Sequence, residues 1–332
     1  MKRKVPKEIA KYYKIPSKLT DFQLSLYIHL IEWKWKHITK KPGLNGGREY
    51  DAILPKEFAE IGCPLYQPII KEMEKHRFKK HKHFGHMASS QAACINLFAP
   101  VLKDSKIANA ILPAINPRFR DIAVDYLENG FQFEYWDESN PLNDHTSVAG
   151  TDSDIAIAYY DIEGKLSLWL IEHKLTEDEF TTCGGYRSKG NTQKENCRNG
   201  KLILSDKSRC YYKYHCNYKY WEITHESKLF NITKLNQREK CPFIEGENQL
   251  WRNQLMGYAI QKKGAFENVH FSVVHHHENT DLQTSMDNYR NILNEQSVFD
   301  SFTSKDVIKS AKKINNQDIQ EWLNWYSVLY RV

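Results

Sequence analysis

The sequence predicts an α/β protein in which a mixed central sheet is flanked by helices, with an N-terminal helical extension and a cysteine-rich insertion. Apolar segments of strand length occur at 131–136, 154–160 and 166–172. Helical periodicity occurs on both sides of them, and a further strand candidate at 269–275 follows a helix. Helices and strands in this order build layered folds with a helix-covered sheet.

The composition bounds the class of protein. A chain of 332 residues has the length of one large domain or two smaller ones. Its 41% hydrophobic residues are too many for a disordered chain, and no apolar run reaches the roughly 18 residues of a membrane-spanning helix. The basic start has no apolar segment behind it, so we expect a cytoplasmic protein without a secretion signal. Seven cysteines, an odd number, favour free thiols or metal ligands over a disulfide framework.

Residues 1–85 are predicted to form a basic helical extension. A helix is expected over 18–37, with Thr20 or Ser17 as its cap, because large apolar residues recur there at helical spacing: Leu19, Phe22, Leu26, Leu30 and Trp33. Glycine and proline in 40–47 end this helix. The run 71–83 holds six Lys or Arg and three His, which indicates an exposed basic loop or helix face.

Residues 86–332 are predicted to form the main domain. It opens with a helix at 86–102 and continues through the strand candidates, the last two of which are joined as a hairpin by a turn with Gly164. The insertion at 183–221 has no clean periodicity. Regular elements then return as helices and one strand, at 247–262, 269–275, 282–294 and 317–330.

The charge is unevenly distributed, although the net charge is only +6. Residues 1–41 carry eleven Lys or Arg against three acids, and residues 183–221 carry nine against two. Between them, residues 121–179 carry fifteen acids against two lysines. A dense carboxylate group must be solvated or bind a cation, whereas basic segments with aromatic residues suit a phosphate backbone. Chance variation on a solvated surface is the alternative.

The sharpest local feature is Asp154 at the start of one hairpin strand and Glu172 and Lys174 at the end of the next. The two strand ends lie side by side, and residues two apart on a strand share a face, so His173 points away. Mg²⁺ is commonly held by one or two carboxylates and water, and a bound metal activates that water. We therefore expect Asp154 and Glu172 to bind Mg²⁺ or Mn²⁺. Lys174, with a pKa lowered by burial, would orient or deprotonate the water or stabilise the transition state.

Asp154 and Glu172-His-Lys174 resemble the motif of the PD-(D/E)xK nuclease superfamily. Gln254 and Tyr258, on one face of a predicted helix, match the Gln-x-x-x-Tyr of its RecB-like branch, which implies that they position the site or the strand. Two stretches also resemble a group of bacterial proteins classed as restriction endonucleases: His86-Met-Ala-Ser-Ser-Gln-Ala-Ala-Cys-Ile-Asn-Leu-Phe and Trp169-Leu-Ile-Glu-His-Lys-Leu-Thr-Glu. The resemblance implies a restriction-endonuclease-like core and covers about 86–275.

The sequence departs from that pattern at two points. Asp152 lies on the same strand face as Asp154 and could replace it as a ligand. The family often adds an acidic residue on an earlier helix, where this chain has Gln91 and Asn96, so Glu134 on the preceding strand is the proposed substitute metal ligand. The competing interpretation of the Asp, Glu and Lys is a cross-strand salt bridge at an exposed hairpin end.

Cys183, Cys197, Cys210 and Cys216 fall within thirty-four residues of the insertion. Four thiolates can bind Zn²⁺ or an iron–sulfur cluster, and metal binding can order a segment that has little core. Several RecB-like nucleases carry such a cluster, but this chain lacks their Cys-x-x-Cys, which favours Zn²⁺. His215 and Cys241 are substitute ligands, and unliganded thiols are the alternative.

Together these features predict a Mg²⁺- or Mn²⁺-dependent deoxyribonuclease that hydrolyses DNA phosphodiester bonds, with a restriction or phage-defence role. DNA is the expected partner. Tyrosines and cations are interleaved in the insertion, as on surfaces that track a nucleic-acid backbone, and packing of a small metal-stapled lobe is the alternative explanation of this pattern. The rival hypothesis is a non-catalytic, metal-stapled DNA-binding protein whose nuclease-like core only shapes the surface.

Overall fold

The computed structural model describes residues 2–146 and 150–332. Within them the strands are β1 (Arg3–Lys4), β2 (Lys18–Leu19), β3 (Gly43–Asn45), β4 (Arg48–Tyr50), β5 (Phe119–Ile122), β6 (Phe131–Tyr135), β7 (Ser153–Asp161), β8 (Leu166–Lys174), β9 (Asn268–His275) and β10 (Phe299–Thr303). The α-helices are α1 (Lys7–Tyr12), α2 (Asp21–His37), α3 (Lys56–Glu60), α4 (Ile70–Met73), α5 (Ser90–Leu102), α6 (Ser105–Ile111), α7 (Gly184–Arg187), α8 (Gly200–Ser205), α9 (Tyr211–Tyr214), α10 (Tyr220–Ser227), α11 (Ile232–Asn236), α12 (Glu247–Lys262), α13 (Gln283–Asn291), α14 (Ser304–Ala311) and α15 (Gln317–Tyr330).

A mixed six-stranded sheet organises the chain in the order β10-β9-β8-β7-β5, and β6 also pairs with β7. Strands β8, β9 and β10 are parallel, whereas β7 is antiparallel to β8, β5 and β6. Two strands pair with the edge of β7 that faces away from β8: β6 pairs with the first half of β7, and β5 pairs with the end of β7. The structure thus confirms the predicted α/β class and the mixed sheet between helices, which is consistent with a restriction-endonuclease-like fold.

Both faces of the sheet are buried, and the alternation of side chains divides the core in two. Ile155 and Ile157 of β7 face the layer formed by α2, α5, α6, α14 and α15. Ala156 and Ala158 face the opposite layer, which includes α10, α12 and α13. Since successive strand residues point to opposite faces, a near-continuous apolar strand is what a sheet covered on both sides requires.

The hairpin between β7 and β8 has the predicted turn, with Gly164 at φ +83°. Its register pairs Ile155 with Ile171 and Ala156 with Leu170. Extending that register by one position sets Asp154 opposite Glu172. The first predicted helix begins at Asp21 rather than 18, because Thr20 forms a capping box with Gln23.

The N-terminal residues contribute to the main core rather than lying apart from it. Leu26 and Leu30 of α2 are fully buried in the same cluster as α5 and α15. The sequence did not reveal β5, β10, α6 or α14, because these elements are short or polar, as in the Phe-Asp-Ser-Phe-Thr of β10. None of the helices in the described ranges is long and apolar enough to cross a membrane.

Candidate active site

A cleft of about 550 Å³ opens at the end of the sheet where β7 begins and β8 ends. Five carboxylates line it, from Glu134, Asp152, Asp154, Glu172 and Glu177. Lys174 is the one Lys or Arg among the lining residues that the structure describes. The first residues of α5 and three histidines between α4 and α5 form the opposite wall. The cleft therefore concentrates negative charge around a single cationic side chain.

Three of these carboxylates come from three adjacent strands. Asp154 lies opposite Glu172 of β8, as the hairpin register requires. On the other side, β6 pairs Phe133 with Ile155 and Tyr135 with Ser153, which sets Glu134 beside Asp154. Glu134, Asp154 and Glu172 thus form a row across β6, β7 and β8, and all three line the cleft.

Glu134 reaches the cleft through an unusual backbone conformation. Its φ is +51°, in the left-handed region that a glutamate seldom adopts, and its position is skipped in the pairing of β6 with β7. Such strain persists where the surrounding structure enforces it, which is most often at functional sites. The substitute role that the sequence assigned to Glu134 stays a prediction, but the structure brings this residue to the site.

Glu172 is held by three hydrogen bonds. Lys174 donates from Nζ to Oε1 at 2.8 Å, and Gln249 of α12 donates to the same oxygen at 2.7 Å. Asn253, one turn later on α12, donates to Oε2 at 3.1 Å. The lysine and glutamate side chains are only 9% and 6% exposed, so this ion pair lies in the interior rather than at a solvated hairpin end. Its charge-assisted bonds fix the carboxylate in one orientation.

Lys174 keeps its proton more tightly than the sequence analysis supposed. Burial alone lowers its pKa, but the nearby carboxylates of Glu172, Glu177 and Asp154 together raise it above its ordinary value. The expectation of a lowered pKa is therefore wrong for this arrangement. Its Nζ lies 5.7 Å from the ring centroid of Phe180, which also favours the charged form.

Three of the cleft's carboxyl groups, those of Glu134, Asp152 and Asp154, resist ionisation. Burial raises the pKa of Glu134 to about 8, with a further contribution from the negative charge of Asp152. Burial, Glu172 and Glu134 raise the pKa of Asp154 well above its ordinary value, although the backbone N–H of His173 donates to its Oδ2 at 2.6 Å. A cation in the cleft would reverse these shifts.

The cleft offers the oxygen donors that a hard divalent cation prefers. Within residues 2–146 and 150–332, no group of three or more His, Cys, Asp or Glu side chains is placed to hold a metal ion as the side chains stand. Mg²⁺, however, usually binds one or two carboxylates and completes its shell with water. Asp154 and Glu172, with Glu134 beside them, could supply those carboxylates.

The strand end is fixed from both faces of the sheet. His173 points to the α5 side, as predicted, and Ser90 at the start of α5 donates to its backbone oxygen at 2.6 Å. Gln91 binds the preceding loop: its Oε1 accepts from the His81 N–H at 2.8 Å and its Nε2 donates to the Lys79 oxygen at 2.9 Å. Gln91 also hydrogen bonds Glu134, which restrains the rise in that pKa.

The structure does not bring Gln254 and Tyr258 to the cleft. Gln254 is buried, with no hydrogen-bond partner for its Oε1 in the described residues, and Tyr258 donates to Glu226 at 3.4 Å on the surface. The residues of α12 that touch Glu172 are Gln249 and Asn253, which the sequence analysis missed. Gly257 could have identified them.

Gly257 marks the face of α12 that lies on the sheet, since a Cβ there would come within 3.3 Å of Val269. Asn253 and Gln249 lie one and two turns before it on the same face. The spacing of these two amides from the glycine was therefore a pattern in the sequence that could have indicated which residues of α12 face the sheet.

The cysteines are distributed differently from the prediction. Cys183, Cys197 and Cys210 line one small internal cavity, and the fourth thiol in it is Cys241, the proposed substitute. Cys216 does not line this cavity, and His215 stacks on Tyr211 at 4.6 Å between ring centroids. The cavity lies in residues 183–246, which we term the cysteine lobe.

Comparison with known proteins gives one match. A family model described as restriction endonuclease associating with ARP matches residues 28–330. No curated protein and no solved structure matches the chain.

Proposed function

The chain belongs to the family of restriction endonucleases associating with ARP, and on this basis we propose that it is a Mg²⁺- or Mn²⁺-dependent nuclease of the PD-(D/E)xK type that hydrolyses DNA phosphodiester bonds. The observation that carries the proposal is the row of Glu134, Asp154 and Glu172 on three adjacent strands, with the buried Lys174 beside it. The order and spacing of Asp154 and Glu172-x-Lys174 support the PD-(D/E)xK assignment.

Asp154 and Glu172 would hold the divalent ion, with Glu134 as a third carboxylate. When bound, the ion would neutralise charge on the phosphate and lower the pKa of a water molecule. Gln249 and Asn253 would keep Glu172 in its orientation through the bonds at 2.7 and 3.1 Å. These two amides are positioning residues, because they act through the carboxylate.

Lys174 would supply positive charge where negative charge develops on the phosphate. It is protonated beside Glu172, and its buried Nζ cannot be solvated freely. A preorganised cation in a water-poor site stabilises a transition state more strongly than the same charge in water. The structure therefore favours an electrostatic role for Lys174 over that of a general base.

The loop at 79–83 would receive the DNA backbone. Lys79, Lys80 and Lys82 are exposed there, and His81 and His83 line the cleft. Gln91 fixes this loop to α5 through two hydrogen bonds, next to the carboxylates. A basic rim around an acidic cleft would bring phosphates to an ion that the carboxylates hold.

The proposal is tested by incubating the full chain with supercoiled plasmid, linear duplex and single-stranded DNA, in Mg²⁺, Mn²⁺ or EDTA. We expect cleavage with either metal and none in EDTA. Lys174→Ala should reduce the cleavage rate about 100-fold or more, the usual cost of losing an electrostatic catalytic group. Asp154→Asn should reduce both cleavage and Mn²⁺ binding.

Lys165→Ala is the matched control, because Lys165 lies at the other end of the same hairpin and pairs only with exposed Glu163 among the ion pairs of the described residues. It should cleave at the wild-type rate. Equal activity of Lys174→Ala and wild type would contradict the assignment. DNA binding without cleavage in any metal would favour the non-catalytic DNA-binding protein instead.

A further inference from the structure

Four cysteines converge in the cysteine lobe, although they come from four separate segments. Cys183 precedes α7, Cys197 lies in a 3₁₀ turn, Cys210 precedes α9, and Cys241 lies in the loop before α12. All four line one small cavity together with bulky apolar and aromatic side chains. The remaining cysteines do not line it.

Backbone contacts fix the four segments around this cavity. The Cys241 N–H donates to the Cys197 oxygen at 2.9 Å, and the Cys183 N–H donates to the Ile244 oxygen at 3.1 Å. The Tyr186 N–H also donates to the sulfur of Cys183 at 3.4 Å. The thiols are therefore brought together by defined backbone hydrogen bonds and not only by apolar packing.

The cavity itself defines the set of four. Cys183, Cys197, Cys210 and Cys241 line it, whereas Cys216, six residues after Cys210, does not. The group therefore excludes the fourth cysteine that the sequence predicted and contains the substitute in its place.

A buried donor in the cavity lies beside one of the thiols. The indole N–H of Trp221, whose side chain is only 2% exposed, faces the sulfur of Cys210. It has no well-aligned acceptor among the described residues, and a buried N–H without an acceptor costs free energy. A thiolate at Cys210 would be a better acceptor than the neutral thiol.

We propose that Cys183, Cys197, Cys210 and Cys241 are the ligands of a metal centre in the cysteine lobe. Four thiolates are the ligand set shared by structural zinc and iron–sulfur clusters. As the structure stands, no group of three or more His, Cys, Asp or Glu side chains among the described residues is placed to hold a metal ion, so the four thiols would have to rearrange when the metal binds. The inference does not rest on the nuclease activity.

The metal centre would also stabilise one wall of the candidate active site. Two residues before Cys183, the Thr181 N–H donates to Oε1 of Gln249 at 3.0 Å, and Gln249 in turn donates to Glu172. Ordering of the lobe by metal therefore fixes the amide that orients this carboxylate. Metal binding contributes directly to the folding free energy of such a segment.

The test is metal analysis of the full chain purified without oxygen. Wild type should contain about one zinc, or about four iron and four sulfide with visible charge-transfer absorption, per chain. The metal content per chain of Cys241→Ser should be at least tenfold lower than that of wild type, whereas Cys216→Ser, the matched control, should have the wild-type content. Zinc without visible absorption identifies the single ion, and iron with sulfide identifies the cluster.

A second measurement applies if Cys241→Ser does not fold. Metal-free wild type is titrated with Co²⁺, and thiolate-to-cobalt charge-transfer absorption should saturate at one ion per chain with the visible bands of a tetrahedral site. Wild type that holds no metal as purified and shows no such absorption would overturn the proposal. Equal metal loss in Cys216→Ser and Cys241→Ser would overturn the ligand set.

Discussion

Glu134→Gln should stabilise the metal-free protein at neutral pH. The folded state raises the pKa of this carboxyl from 4.5 to about 8, chiefly by burial and by the charge of Asp152. At pH 7 the group therefore holds a proton in the folded chain that it has lost in the unfolded chain. Since one pKa unit corresponds to about 1.4 kcal/mol, retaining this proton costs the folded state about 3 kcal/mol.

The sign of this effect gives it a distinct pH dependence. Below pH 4.5 the carboxyl is protonated in both states, so the substitution should change the free energy of unfolding little. Between pH 4.5 and 8 the folded state binds more protons than the unfolded state, and wild-type stability falls as the pH rises. The advantage of Glu134→Gln should therefore grow from near zero at pH 4.5 to about 3 kcal/mol at pH 7.

The assay is urea unfolding followed by tryptophan fluorescence at pH 4.5, 6, 7 and 8, in EDTA and in Mg²⁺. Mg²⁺ should stabilise wild type more than Glu134→Gln, because the proposed ion would bind the carboxylate row of the folded state and not the unfolded chain. Glu138→Gln, an exposed position four residues on, is the control and should behave as wild type. The reasoning would be refuted if the difference in free energy of unfolding between Glu134→Gln and wild type were no larger at pH 7 than at pH 4.5.

Three further outcomes are expected. Asn253→Leu should lower the rate of DNA cleavage about tenfold or more, because Glu172 loses a charge-assisted hydrogen bond worth roughly 1.5–3 kcal/mol. Tyr258→Phe is the control and should cleave as wild type does. Equal cleavage rates of the two variants would contradict the positioning role of Asn253. Gly257→Val should lower the free energy of unfolding by about 1–3 kcal/mol, because its side chain meets the sheet, and an unchanged urea midpoint would argue against this contact. Burial lowers the pKa of His276 from 6.5 to about 4. Between these pH values the unfolded chain binds a proton that the folded chain does not, so about 3 kcal/mol of the free energy of unfolding, present above pH 6.5, is lost as the pH falls to 4. In urea unfolding, the stability of His276→Gln should therefore depend less on pH in this range than that of wild type.

The hairpin could be predicted from sequence because its determinants are local. Apolar segments of strand length predict the two strands, Gly164 predicts the turn, and the short connection fixes the register. Once the register is set, Asp154 and Glu172 must meet at the same sheet end. The side on which His173 points follows from the same periodicity.

The structure places Gln254 and Tyr258 of α12 away from the cleft, for a physical reason. A helical pattern places Gln254 and Tyr258 on one face, but it does not say which face meets the strand end. That choice depends on how the helix packs, and Gly257 is among the residues of α12 that lie on the sheet. The fourth thiol of the cavity is a similar case, because Cys241 is far from Cys183 in sequence and the two share the cavity only in the folded chain, where the Cys183 N–H donates to the Ile244 oxygen.

By itself the sequence determined the α/β class, the hairpin and the acidic strand end, since these depend on periodicity, turn residues and neighbours along the chain. Only the tertiary structure decided the partners of Glu172, the protonation of Lys174 and the membership of the thiol cluster. A pKa depends on burial and on charges from every segment that packs nearby. Those contacts join residues far apart in the chain, so no local pattern could encode them.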